Sequence, residues 1–155
     1  MNAELYRLVA VKSGVELRSA SKDQIRELID LGVPEDAIDF YREAEPASCA
    51  EIEDIRLWPI SDVLEENTKF VPGCYVRPHG YIVFATTIFG DTYCFDLNSA
   101  PSTATAPIAL LSHEIFDETT TKEQVSPVAK RIAPDLAAFL RAFVTGDLDM
   151  NPIYG

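Results

Sequence analysis

Between Gly73 and Leu97, apolar runs are separated by turns too short for anything but antiparallel pairing. Tyr75-Val76-Arg77 leads through Pro78-His79-Gly80 to Tyr81-Ile82-Val83-Phe84-Ala85, and a turn near Phe89-Gly90-Asp91 leads to Thr92-Tyr93-Cys94-Phe95-Asp96-Leu97. A crossover between parallel strands takes a dozen or more residues, so these runs are predicted to form hairpins. Gly90 and Asp91 read as a structural turn, the glycine supplying positive φ and the aspartate bonding neighbouring backbone. Charge is partitioned to match. Residues 68–113 hold 2 acids and 2 bases, against 16 and 7 in residues 1–67 and 7 and 4 in residues 114–155. A neutral, aromatic and β-branched centre between charged amphipathic ends is the composition of a buried sheet with outer helices. The expected fold class is α+β, a single domain with a central, mostly antiparallel sheet of about five or six strands flanked by N-terminal and C-terminal helices.

The flanks carry helical periodicity. Leu5, Leu8 and Val9 fall at i, i+3 and i+4 ahead of Gly14, although Leu8-Val9-Ala10-Val11 also suits a strand. Ser21 with Gln24 forms a capping box before Ile25, Leu28 and Ile29, and Gly32 follows as terminator. Pro34 suits a first helical turn, with Ala37, Ile38, Phe40 and Tyr41 as the inward stripe up to Ala44. Glu51 to Ile60 reads as one strand passing through Trp58-Pro59, then a short helix capped by Ser61 or Asp62. Asn98 to Pro107 is a polar loop, Ile108 to Leu111 a further strand, and Asp117 to Gln124 a charged loop. A short element near Val128 to Ile132 precedes a final helix holding Leu136, Phe139, Leu140 and Phe143, with Pro134 near its start and Gly146 past its end.

A chain of 155 residues fits one domain. No apolar run approaches the ~20 residues that span a bilayer, so no membrane partner is expected. The start, Met1-Asn2-Ala3-Glu4, lacks a basic region followed by an apolar stretch, which argues against a signal peptide and makes the cytoplasm the expected compartment. Three cysteines, an odd number without a paired pattern, suit reduced thiols better than a disulfide framework.

Chemistry-bearing residues are present, but no constellation emerges. Cys74, His79 and Cys94 are conceivable zinc ligands, yet they lack the short paired spacing that builds a tetrahedral site. A Cys94 nucleophile with His79 or His113 and Asp96 lacks any local feature that would lower a thiol pKa. His113 beside Glu114 at a strand end suits backbone hydrogen bonding better than base catalysis. No glycine-rich phosphate loop occurs. No enzymatic activity, metal or cofactor is therefore expected.

Charge says more about partners. Residues 35–66 carry eleven carboxylates against two arginines in a chain of net charge −12. Such a field repels nucleic acid and speeds encounter with a basic protein, though a solvated acidic surface kept for solubility has the same composition. The expected partner-binding residues are Glu43, Glu45, Glu51, Glu53, Asp54, Glu65 and Glu66 if they cluster on one exposed face. Trp58 is a candidate anchor, against the commoner fate of a core tryptophan.

The order of these segments resembles the SMI1/KNR4 (SUKH) superfamily over roughly residues 20–145. The stretch Ile25 to Pro34 is similar to the family's helix ending in Leu-Gly before a proline-started second helix, in which Phe40-Tyr41 supplies the aromatic. Trp58-Pro59-Ile60 with Val63-Leu64 resembles the strand and short helix that follow. Ile82 to Ala85 with Gly90 to Leu97 resembles the family's hairpin, and Ile108 to Glu114 and a helix over Ile132 to Phe143 complete the order. The Asn-Gly frequent after the family's second helix is replaced by Glu45-Pro46-Ala47-Ser48. The resemblance implies an α+β domain whose bacterial members are mostly immunity proteins that bind and neutralise a cognate toxin, often a nuclease, of a polymorphic or contact-dependent system. Fungal relatives act in cell-wall signalling. The expected partner is then a cognate toxin with a basic surface. The alternative is a regulator that binds a small molecule or peptide in a groove between sheet and helices, and a hydrolase comes third.

Overall fold

The computed structural model describes residues 2–154. Its centre is a six-stranded sheet of β3 (Ala50–Ile52), β4 (Ile55–Leu57), β5 (Tyr81–Thr87), β6 (Thr92–Asp96), β7 (Ile108–Leu111) and β8 (Lys130–Ala133), antiparallel throughout and in that spatial order. Each strand is the neighbour of the next in sequence, through tight turns at β3–β4 and β5–β6 and through longer connections elsewhere. The β5–β6 turn closes through Thr87 N–H to Asp91 C=O at 2.8 Å and Gly90 N–H to Thr87 C=O at 3.0 Å. Gly90 takes φ +96°, a conformation that costs a side-chain-bearing residue strain. A Cβ there would also meet the His113 ring at 3.3 Å.

The register stacks aromatic residues on one face. Ile82 and Ile108 flank Phe95, while Ala85 and Leu110 flank Tyr93. A bulge between Val83 and Ala85 turns Phe84 onto Phe95, ring centroids 4.3 Å apart. Phe139 of α7 (Leu136–Thr145) meets Phe84 and Tyr93 edge-on at 5.0 and 5.2 Å. Beside α7 lies α1 (Ala3–Ser13), stopped by Gly14. Helix α2 (Lys22–Leu31) starts on the capping box, with Gln24 N–H donating to Ser21 Oγ at 3.1 Å and Ser21 N–H to Gln24 Oε1 at 3.2 Å. It ends at Gly32 in the left-handed region. Helix α3 (Glu35–Ala44) buries Ala37, Ile38, Phe40, Tyr41 and Ala44, with Pro34 capping it from just outside. A two-stranded ribbon of β1 (Leu17–Arg18) and β2 (Glu45–Pro46) ties the start of the chain to the end of α3.

Several local expectations are corrected. Residues 50–57 form a hairpin rather than one strand, because the chain reverses at Glu53, φ 53°, and three-residue arms are too short for alternation to reveal. The following helix, α4 (Ile60–Thr68), has Pro59 as its N-cap, not Ser61 or Asp62. Tyr75–Arg77 is helical: α5 (Gly73–Val76) runs into a 3-10 turn over Arg77–His79. No strand can pair there, because α4 occupies that edge of β5. Asn67 donates to Val83 C=O at 2.7 Å and accepts from Val83 N–H at 2.8 Å, so its side-chain amide replaces a neighbouring strand. The charged loop contains a one-turn helix, α6 (Lys122–Val125), and residues 130–133 supply the sixth strand. The last helix therefore starts at Leu136, capped by Asp135, rather than at Ile132. Ile29, expected on the buried stripe of α2, is 54% exposed, since the helix turns its Ile25 and Leu28 side inward.

Candidate protein-binding surface

Three elements carry ten of the eleven carboxylates of residues 35–66. On α3, Asp36, Asp39 and Glu43 follow one another at helical spacing beside Tyr6, whose hydroxyl pKa is raised by burial and, more weakly, by these acids. The β3–β4 hairpin presents Glu51, Glu53 and Asp54, and α4 presents Asp62, Glu65 and Glu66. Glu51 accepts from Arg56 Nε at 2.8 Å and Asp39 from Arg42 Nη1 at 3.1 Å. Glu43, Glu53, Asp54, Asp62, Glu65 and Glu66 form no ion pair with the described residues. Burial raises the pKa of Asp62 and Glu66, with Glu65 adding to the first and Asp62 to the second. Cys49, half-buried, is pushed up to about 11 by burial, Asp62 and Glu51 adding while Arg56 opposes. Asp62 of α4 and Glu51 of the hairpin thus both act on Cys49.

Two expected surface residues are not on the surface. Glu45 is 1% exposed, with Oε2 accepting from Ile60 N–H at 2.9 Å and Oε1 lying 3.4 Å from Arg18 Nε. The proline before α4 has no side-chain acceptor, so the orphan amide at the helix start is satisfied by this carboxylate, whose charge also suits the positive end of the helix. Trp58 is 7% exposed and belongs to the core, where its carbonyl accepts from the Tyr41 hydroxyl at 3.2 Å. Its side chain is packed in the core rather than presented at the surface.

The turn at Gly90 and Asp91 does more than reverse the chain. Asp91, buried, does not only bond its near neighbours: Oδ1 takes the His113 N–H at 3.2 Å and lies 2.8 Å from His113 Nδ1. His113 Nε2 is 3.6 Å from Glu114 Oε1. The pairing of Thr92 with Leu111 brings this trio together, so only the strand register could have revealed it. Among the described residues no Ser, Thr or Cys side chain is hydrogen-bonded to the imidazole. Ser112 is buried with Oγ accepting from Glu114 N–H at 3.2 Å, and the Cys94 thiol is buried and pushed up to about 12, chiefly by desolvation. His79 Nε2 lies 2.8 Å from the Thr120 carbonyl. Among the described residues no three His, Cys, Asp or Glu side chains are placed to hold a metal ion, and no helix is long and apolar enough to cross a membrane.

A groove of about 710 Å³ runs between the α2–α3 junction and the loop after β6, lined by Ile29, Val33, Ile38, Leu97 and Ala100 with Arg42 at its rim. A second, of about 460 Å³, lies over the Asp91–His113 pair. The sequence model of the SMI1 / KNR4 family (SUKH-1) matches residues 20–142. No curated protein matches the chain.

Proposed function

The chain belongs to the SMI1/KNR4 (SUKH-1) family, and from that membership and its surface charge we propose that it is a non-enzymatic immunity protein that binds and neutralises a basic cognate toxin. One observation carries the proposal: Glu53, Asp54, Asp62, Glu65 and Glu66, on the hairpin and α4, are at least partly exposed and form no ion pair with the described residues. Surface acids kept for folding are commonly matched by nearby lysines or arginines. Unmatched ones are available to a partner, and they repel each other until a cation arrives. A nuclease toxin must present a basic surface to hold phosphates, and an acidic inhibitor seated on that surface blocks substrate entry directly.

The test is association with the partner recovered by copurification from the native host. Reversing Glu53, Asp54, Glu65 and Glu66 to lysine should slow association several-fold at low salt, and added salt should shrink the difference. Binding indifferent to both reversal and salt, or an acidic partner, overturns the proposal. A toxin gene beside this one, and protection from that toxin on co-expression, are the genetic counterpart.

The groove between α2 and α3 favours a second reading, a regulator that binds a peptide or small molecule. Its volume, about 710 Å³, falls within the range of ligand pockets, and its lining is mostly apolar with Arg42 and Asp39 for orientation. Saturable shifts of Ile29 and Leu97 methyl signals on adding a peptide fraction of the host lysate would favour it.

A further inference from the structure

Four of the eight large hydrophobic side chains exposed among the described residues lie away from the acidic helices. Of the large hydrophobic side chains left in solvent, Ile88 and Phe89 sit on the β5–β6 turn, and Ile153 and Tyr154 sit in the segment after α7. Phe89 is 63% exposed and Tyr154 60%. Both line the groove of about 460 Å³ whose floor holds Asp91, His113 and Glu114, with Pro152 on its wall.

The start of this segment, Asp149 to Asn151, is fastened in place. The Tyr93 hydroxyl donates to Asp149 C=O at 2.8 Å, and Lys130 Nζ reaches Asn151 C=O and Asp149 Oδ2, each at 2.7 Å. Lys130 thereby neutralises Asp149, leaving Asp91 and Glu114 as the carboxylates that face the groove. The Asp91 side chain is only 4% exposed. Its Oδ1 is committed to His113, while Oδ2 has no donor among the described residues. A nearly buried carboxylate that lines the same groove as two exposed aromatic side chains and a second carboxylate has the chemistry of a receptor for a delocalised cation. Burial strengthens the electrostatics, and aromatic faces attract cations.

We infer that the groove over Asp91 and Glu114 receives an arginine side chain of the partner protein, its guanidinium against the carboxylates and its flat face against Phe89 and Tyr154. Arginine fits better than lysine because its planar fork bonds a carboxylate while stacking on an aromatic ring. The inference rests on the proposed basic partner and locates its anchor. Encounter is then driven by the hairpin and α4, and residence by this groove.

The probe is N-acetyl-arginine amide titrated into the intact protein, with N-acetyl-citrulline amide as the neutral isostere, followed by NMR of the His113 and Tyr154 ring signals. Saturable shifts with arginine, at least tenfold weaker with citrulline and lost in Phe89→Ala and Glu114→Gln, support the site. Both substitutions are at exposed positions, and a retained Tyr93 ring spectrum reports that the fold is intact. No saturable shift, or equal response to the two amides, overturns it. With the copurified partner, Phe89→Ala should raise the dissociation rate tenfold or more while leaving the salt dependence of association unchanged; an unchanged dissociation rate overturns the anchor. A partner that proves acidic defeats the proposed function, whereas the amide titration judges the groove independently.

Discussion

Glu45 and Glu51 are the same residue type six positions apart, and the fold gives them opposite tasks. Glu51 lies half in solvent against Arg56, while Glu45 is buried with its oxygens on the Ile60 amide and the Arg18 guanidinium. Glu45→Ala should cost about 2–3 kcal/mol, because it strands a buried N–H, whereas Glu45→Gln retains an acceptor and should cost about 1 kcal/mol. Urea unfolding midpoints measure both. If Glu45 were a binding residue instead, Glu45→Gln would weaken partner association without moving the midpoint. Counting carboxylates along the chain located the acidic surface but not its members, since exposure depends on which element packs over each one. Trp58 meets the commoner fate of a tryptophan, its indole packed in the core. Asp91 was legible as a turn residue from the Gly-Asp pair alone, yet its hold on His113 required β6 and β7 to be in register.

Elements with strong local signals were recovered close to their ends. The capping box of α2, the left-handed glycine after it and the hairpin around Gly90 form from residues within a few positions of one another, so neighbouring chemistry suffices. Elements misread, or only half-seen, were those whose state is imposed from outside. Tyr75-Val76-Arg77 has strand-forming residues, but Asn67 already holds the backbone of Val83, and a strand without a partner leaves its amides unpaired. Asn67→Leu should therefore cost about 2–4 kcal/mol by leaving both Val83 groups buried and unsatisfied. Hydrogen exchange at the Val83 amide should speed up more than at Phe95, which is bonded by strands on both sides. Equal acceleration at the two sites would mean that α4 is not a substitute strand.

Over the whole molecule, a net charge of −12 makes stability depend on salt and pH. Burial raises the carboxyl pKa of Asp36, Asp62 and Glu66, so each binds a proton more tightly folded than unfolded. Their stabilising contribution is present below the unfolded value and lost as pH rises through the folded one. Asp149 runs the other way: the hydrogen bond from Lys130 lowers its pKa, and its contribution is lost as pH falls. The melting temperature should accordingly rise as pH is lowered from neutrality into the upper end of the ordinary carboxylate range, then fall once carboxylates with lowered pKa values protonate. Added salt at neutral pH should raise it as well, by screening self-repulsion. A melting temperature that declines steadily from pH 7 downwards would contradict this balance. By itself the sequence determined the antiparallel hairpin, the helix caps and the excess of acid, because each follows from neighbouring residues or from a sum over the chain. Only the tertiary structure decided which acids meet solvent, which strand edge α4 closes, and that Phe89 and Tyr154 frame one groove, because those depend on groups distant in sequence sharing a limited interior.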